Sequence, residues 1–166
     1  MKLVRFAFAG AMFAGALAAS TIASAAELLT VQLKDGPVVI ELMPEVAPKH
    51  VAQIEALAKK GAYDNVAFHR VIDGFMAQTG DVPYGNLEKS FNAQRAGTAR
   101  SDLPAIPAEF SKPPFTRALV GMARSQAPHS AHSPSFTLFA AAPLLNRPYT
   151  APGSVVSGLD AAHKLK

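Results

Sequence analysis

Between Phe68 and Asp81 the chain reads FHRVIDGFMAQTGD. This segment concentrates the side chains most able to do chemistry. Arg70 lies in a run whose alternate positions are apolar, so on a two-faced strand Phe68, Arg70 and Ile72 share one face. A guanidinium among apolar neighbours is unusual there, because a charge is costly to desolvate. Phe75 and Met76 follow the Asp73-Gly74 turn, and Gln78 lies two residues further on. Together they offer one fixed cation, one amide, and an aromatic and thioether surface. The same residues also fit a rim arginine paired to a carboxylate over an ordinary core, and spacing alone leaves both readings open.

Other chemistries are poorly served. The chain has no cysteine, which excludes a disulfide framework, a thiolate nucleophile and Cys-ligated zinc or iron–sulfur clusters. It carries no phosphate loop, zinc-protease motif or G-x-S-x-G elbow. A dispersed serine triad is not excluded by pattern. His129 and His132 are three apart, but their loop offers no neighbouring carboxylate or second ligand pair, so they read as a solvated loop and no metal site is expected.

The elements that must position the cation and its neighbours are short. Met1–Ala25 reads as an export leader, with Lys2 and Arg5 before an apolar stretch and Ala23-Ser24-Ala25 as a small-x-small cleavage site. Removing it from 166 residues leaves 141 in one domain, 26–166. It also takes away two of the sixteen basic residues. Against twelve acidic ones that leaves a net charge of +2, and no dense Lys/Arg stripe points to nucleic acid. Leu28–Leu33 and Val38–Leu42 read as a hairpin around Asp35-Gly36. Pro48 suits the first turn of a helix, Val51, Ile54 and Leu57 fall at helical spacing, and Gly61 suits its C-terminal cap. Val66–Ile72, Phe75–Thr79, Ala118–Ala123, Phe136–Ala140 and Val155-Val156 read as strands, and Leu159–Leu165 as a second helix. The polar stretch from Val82 to about Ala108 reads as a long loop, functional or disordered. Short strands with turns between them suggest a β-barrel or sandwich.

The signature FHRVIDGFMAQTGD resembles that of the cyclophilin-type peptidyl-prolyl cis-trans isomerases. Pro48-Lys49-His50-Val51, Gly61-Ala62-Tyr63-Asp64, Ala108-Glu109-Phe110, Gly121-Met122-Ala123-Arg124 and Leu144-Leu145-Asn146 follow the family's order. With the leader, the chain is similar to the periplasmic bacterial branch, so a periplasmic or secreted location is expected. The resemblance implies a mainly β fold, a closed antiparallel eight-stranded barrel capped by two helices, with the site on its outer face. It implies that Arg70 is the catalytic arginine and that Gln78 orients it and the substrate. Phe75, Met76 and Phe136 would wall a proline pocket, Ala123 and Arg124 would hold the extended peptide, and Leu144, Leu145 and Tyr149 would form the rim. Leu144 stands where many members carry a Trp that contacts cyclosporin. The implied partners are proline-containing unfolded or extended polypeptides, met by a monomer that uses no cofactor and does not stay inserted in a membrane once the leader is cleaved.

Three departures from the family pattern stand out. Ser133-Pro134-Ser135-Phe136 replaces a Ser-Gln-Phe-Phe stretch, which loses a Gln and an amide donor. Gly97-Thr98-Ala99-Arg100 replaces a glycine-rich stretch. The sequence ends at Lys166, before the family's closing strand, so that strand is expected to be missing. These departures keep a second reading open, a catalytically weakened module that binds proline-containing segments as a chaperone or scaffold.

Overall fold

Leu28–Leu33 (β1) and Gly36–Leu42 (β2) pair as the antiparallel hairpin that the Asp35-Gly36 turn predicts, and Gly36 sits at φ +129°. In this computed structural model, residues 26–98, 104–110 and 112–165 are described. The leader and the Ala99-Arg100 departure lie outside them. The first helix, α1, spans Pro48–Lys59 and buries His50, Val51, Ile54 and Leu57, the face its spacing predicts. Gly61, at φ +64°, ends it: the Gly61 N–H donates to Ala58 O and the Ala62 N–H to Leu57 O, a paired C-terminal cap.

Five more strands follow: Arg70–Ile72 (β3), Met76–Thr79 (β4), Leu119–Met122 (β5), Ser135–Leu138 (β6) and Gly153–Ser157 (β7). Two short helices, α2 (Val82–Gly85) and α3 (Leu159–His163), and a 3-10 turn at Pro143–Leu145 complete the set. All seven strands form one antiparallel sheet in the order β1-β2-β7-β5-β6-β4-β3. Among the described residues no helix is long and apolar enough to cross a membrane.

The sheet curls so that its two faces bury different clusters. Val38, Ile40, Leu42, Val120, Met122 and Val155 point inward with Val51 and Ile54 of α1 and Leu159 of α3. Met76, Phe115, Leu119, Phe136, Leu138 and Ala142 form a second cluster on the outer face. β5 divides its residues between the two, which is why all four are buried. Burying an aliphatic or aromatic side chain is worth about 1.5–3 kcal/mol, so this outer cluster is a second, smaller core.

β1 and β3 end the strand order, so the barrel is open. Among the described residues the sheet has seven strands, where the resemblance implies a closed barrel of eight. The opening leads into a cavity of about 980 Å³ lined by Leu29, Val31, Leu33, Ile54, Phe68 and Leu165, among others.

Two expectations change. Val66 makes only an isolated bridge to Asn86, and the strand begins at Arg70. The alternation therefore does not run back to Phe68, which packs into the inner cluster while Arg70 lines the outer pocket. The stretch after Val82 is also more built than a bare loop. Asp81 accepts the Tyr84 N–H at 2.9 Å and the Gly97 N–H at 2.6 Å. Asn86 donates to Asp64 O at 2.9 Å and accepts the Glu88 and Lys89 amides.

Candidate active site

Register assembles the site. Arg70 stands opposite Gln78 across β3 and β4, Gln78 opposite Phe136 across β4 and β6, and Phe136 opposite Gly121 across β6 and β5. Directly opposed residues share a sheet face, so cation, amide, ring and glycine form one row across four strands. Met76 lies two residues before Gln78 on that face.

The row floors a pocket of about 160 Å³ lined by Arg70, Phe75, Met76, Gln78, Ala123, Arg124, Phe136, Leu145 and Tyr149. Nine of the ten site residues expected from sequence therefore meet at one place. Leu144 does not: the residue is 93% exposed, on the 3-10 turn outside the pocket. At that turn only Leu145 lines the pocket, and Leu144 points into solvent.

Arg70 is exposed, and among the described residues its guanidinium makes no hydrogen bond or ion pair. Among the described residues, then, Arg70 is not a rim arginine paired to a carboxylate. Phe136 and Tyr149 meet edge to face at 5.8 Å, and Phe115, 1% exposed, lies behind both at 6.4 and 6.3 Å. Arg124 is fixed at the far wall. Its Nε donates to Pro148 O at 2.9 Å and its Nη1 to Ser125 O at 2.9 Å and Gln126 O at 3.2 Å, with the group 4.7 Å from the Tyr149 ring centre.

The Pro134 departure is absorbed locally. Its carbonyl accepts the Ala123 N–H at 2.9 Å, which keeps Ala123 and Arg124 attached beside β6. The preceding carbonyls are held too, Ser133 O by the Tyr63 hydroxyl and His132 O by Gln53. Burial pushes the Tyr63 phenol well above its usual range, so it remains a donor. Gly97 keeps its glycine for a reason: φ is +93°, and a Cβ would stand 2.9 Å from the His69 ring.

Sequence reasoning missed several supports. Phe115 backs the pocket, and its N–H donates to Asn146 Oδ1 at 2.7 Å. Gly121 leaves the space that the Phe136 ring fills. Glu109, quoted only as part of a motif, caps α1 from a distance. Its carboxylate accepts the Lys49 and His50 amides at 3.1 Å and the His50 Nδ1–H at 2.6 Å, and α1 has no side-chain cap of its own. Among the described residues no group of three His, Cys, Asp or Glu could hold a metal ion. His129 accepts the Ala108 N–H.

Comparison with known proteins agrees with this geometry. A family model described as "Cyclophilin type peptidyl-prolyl cis-trans isomerase/CLD" matches residues 28–166. A probable peptidyl-prolyl cis-trans isomerase of Brucella suis is 54% identical over 170 residues, covering all of this chain and 87% of that protein. Peptidyl-prolyl cis-trans isomerase B of Escherichia coli is 31% identical over 147 residues, covering 84% of each chain. Among solved structures, cyclophilin AquaCyp293 from Hirschia baltica superposes with a TM-score of 0.70 at 28% identity, covering 84% of this chain and 67% of that one. A Cryptosporidium parvum cyclophilin-type isomerase crystallised in the presence of the dipeptide Ala-Pro gives 0.69 at 25% identity, covering 84% of each.

Proposed function

The chain belongs to the cyclophilin-type peptidyl-prolyl cis-trans isomerases, and we propose that it works on extended, proline-containing segments of exported proteins in the periplasm. The observation that carries the site assignment is the pocket itself. It has apolar walls, a guanidinium at one edge that is unengaged among the described residues, and the Ala123-Arg124 segment just past β5, along which a peptide can lie.

The chemistry follows from the bond. Rotation about an X–Pro bond meets a barrier of about 18–20 kcal/mol, because resonance makes C–N partly double. In the twisted transition state the prolyl nitrogen turns pyramidal and regains its lone pair. A donor aimed at that nitrogen bonds mainly in the twisted state, so it lowers the barrier rather than deepening either ground state. Arg70 supplies this donor: it is permanently charged and carries no competing partner among the described residues. A charge-assisted hydrogen bond of about 1.5–3 kcal/mol gives roughly one to two decades in rate. Phe75, Met76, Phe136, Leu145 and Tyr149 grip the ring, Gln78 stands opposite Arg70 on the same face with its amide free among the described residues to orient the substrate, and the Ala123-Arg124 backbone holds the flanking residues. Nothing in this route calls for a metal, a nucleotide or a covalent intermediate.

The location rests on the leader, Met1–Ala25. Cell fractionation and N-terminal sequencing check it, with Ala26 expected as the first residue. A protease-coupled isomerisation assay beside a peptide titration checks the function. Turnover in the chain, lost by ten- to a hundredfold in Arg70→Ala, is the expected result. Peptide binding without turnover marks the module reading instead.

A further inference from the structure

Two of the nine pocket residues carry a guanidinium, Arg70 and Arg124, and none carries a carboxylate. Two of the described acids are committed elsewhere: Glu109 to His50 and the start of α1, Asp81 to the Tyr84 and Gly97 amides. Among the described residues the pocket lining thus carries two positive charges and no negative one around an apolar centre. One cation suffices for the prolyl nitrogen, and the second has no task in that chemistry.

Arg124 is held as a ligand-binding arginine would be. Three carbonyls and the Tyr149 ring fix its plane through Nε, Nη1 and the ring face. The two Nη2 hydrogens have no acceptor among the described residues. A fixed donor edge at the wall of a peptide pocket loses little side-chain entropy when it captures an anion. A purely structural tie would need only the Nε and Nη1 bonds.

We propose that Arg124 makes the isomerase selective for acidic substrates, its Nη2 edge binding the carboxylate of an Asp or Glu side chain that flanks the isomerising proline. The inference rests on the isomerase reading above. The contact lies beside the rotating bond, so it is made equally in both isomers and in the transition state. Such uniform binding lowers KM and leaves kcat unchanged.

The test uses acetylated, C-terminally amidated peptides with one Ala-Pro bond and Glu, Gln or Lys within two residues on either side, measured by exchange NMR. At low salt the best Glu peptide should show a KM about three- to tenfold below its Gln counterpart, the range expected of a partly exposed charged pair, with equal kcat. The Lys peptide should be worse than Gln. High salt, which shortens the Debye length to a few ångströms, should compress the series. Arg124→Met should erase the Glu-to-Gln ratio and Arg124→Lys should keep part of it. Equal KM for Glu and Gln at low salt overturns the proposal, as does a ratio that survives in Arg124→Met. A peptide with neutral side chains and a free C-terminus is the remaining arm: a gain confined to it means that the site reads chain ends and overturns the side-chain assignment. If Arg124→Met does not fold, the salt dependence and the Lys variant decide. Absence of turnover on the neutral Gln peptide is a separate failure, that of the isomerase reading itself.

Discussion

Gly121 on β5 faces Phe136 on β6, and the Phe136 ring occupies the space where a Cβ at position 121 would stand. Such a Cβ would fall 2.6 Å from Phe136 Cε2 and 2.9 Å from Phe115 Cε1. The ring leans over the glycine, meets Tyr149 edge to face at 5.8 Å, and so forms the rear of the pocket. The pocket's depth therefore depends on a missing side chain one strand away.

Gly121→Ala should push the Phe136 ring toward the pocket mouth. A buried clash of this kind costs about 1–3 kcal/mol. The expected result is a lower melting temperature and a KM for proline peptides raised more than kcat is lowered, because the wall that grips the ring is displaced. A variant with unchanged KM would show that Phe136 relaxes elsewhere.

Acid should loosen α1. His50 is fully enclosed, its Nδ1–H donates to Glu109 at 2.6 Å, and its Nε2 has no partner among the described residues. Burial lowers the His50 pKa, and the pairing with Glu109 only partly offsets that. For Glu109, burial acts upward, but the hydrogen bonds from the His50 ring and the Lys49 and His50 amides outweigh it and hold the carboxyl below its usual range. Both folded values are depressed, so both contributions are fully present above the unfolded values and are lost as pH falls. Stability should start to fall below about pH 6.5 through His50 and fall further below about pH 4.3 through Glu109. Urea midpoints across this range check it, and Glu109→Gln should flatten the lower limb.

How much of this was legible beforehand depends on range. α1, the β1–β2 hairpin and the β3–β4 turn rest on local spacing, Pro and Gly, and they stand near where the pattern puts them. Nine pocket residues were readable because the resemblance fixes their order along the chain. Phe68 was misread because strand alternation was carried past the true start at Arg70, where tertiary packing and not periodicity decides the boundary. Glu109 and Gly121 were invisible for another reason. Their roles are contacts across 59 residues in one case and across a strand register in the other, and neither leaves a local signal.

Three described non-glycine residues hold a positive φ; Asn65, at +59°, is of a type that tolerates it, and the other two are not. Ala118 has φ +75° and Arg147 φ +70°, and the left-handed region costs a non-glycine residue about 1–2 kcal/mol. Ala118→Gly and Arg147→Gly should each raise the melting temperature by a few degrees, since 1 kcal/mol is worth roughly 2–8 °C at this size. Arg147 lies between Leu145 and Tyr149 on the pocket rim, so its variant should also leave substrate KM nearly unchanged if the rim keeps its shape. A lower melting temperature in either variant would mean that the lost side chain contributes more than the relieved strain.

Leu144 sets the last prediction. The residue is 93% exposed, at the place where, by the resemblance, many members of the family carry a Trp that contacts cyclosporin, and the chain has no Trp. A leucine offers neither an indole N–H nor a comparable flat surface. The proline pocket lies deeper, on Phe75, Met76 and Phe136, and is complete without the rim. Inhibition by cyclosporin should therefore be weak while isomerase activity is retained. Leu144→Trp should strengthen inhibition by about 1–3 kcal/mol, the value of covering one large apolar side chain, with little change in turnover on a short peptide. An inhibition curve for both proteins against the same proline peptide decides it. Equal and tight inhibition of the two would mean that the drug is held by the pocket walls alone, and that the rim residue contributes nothing to its binding.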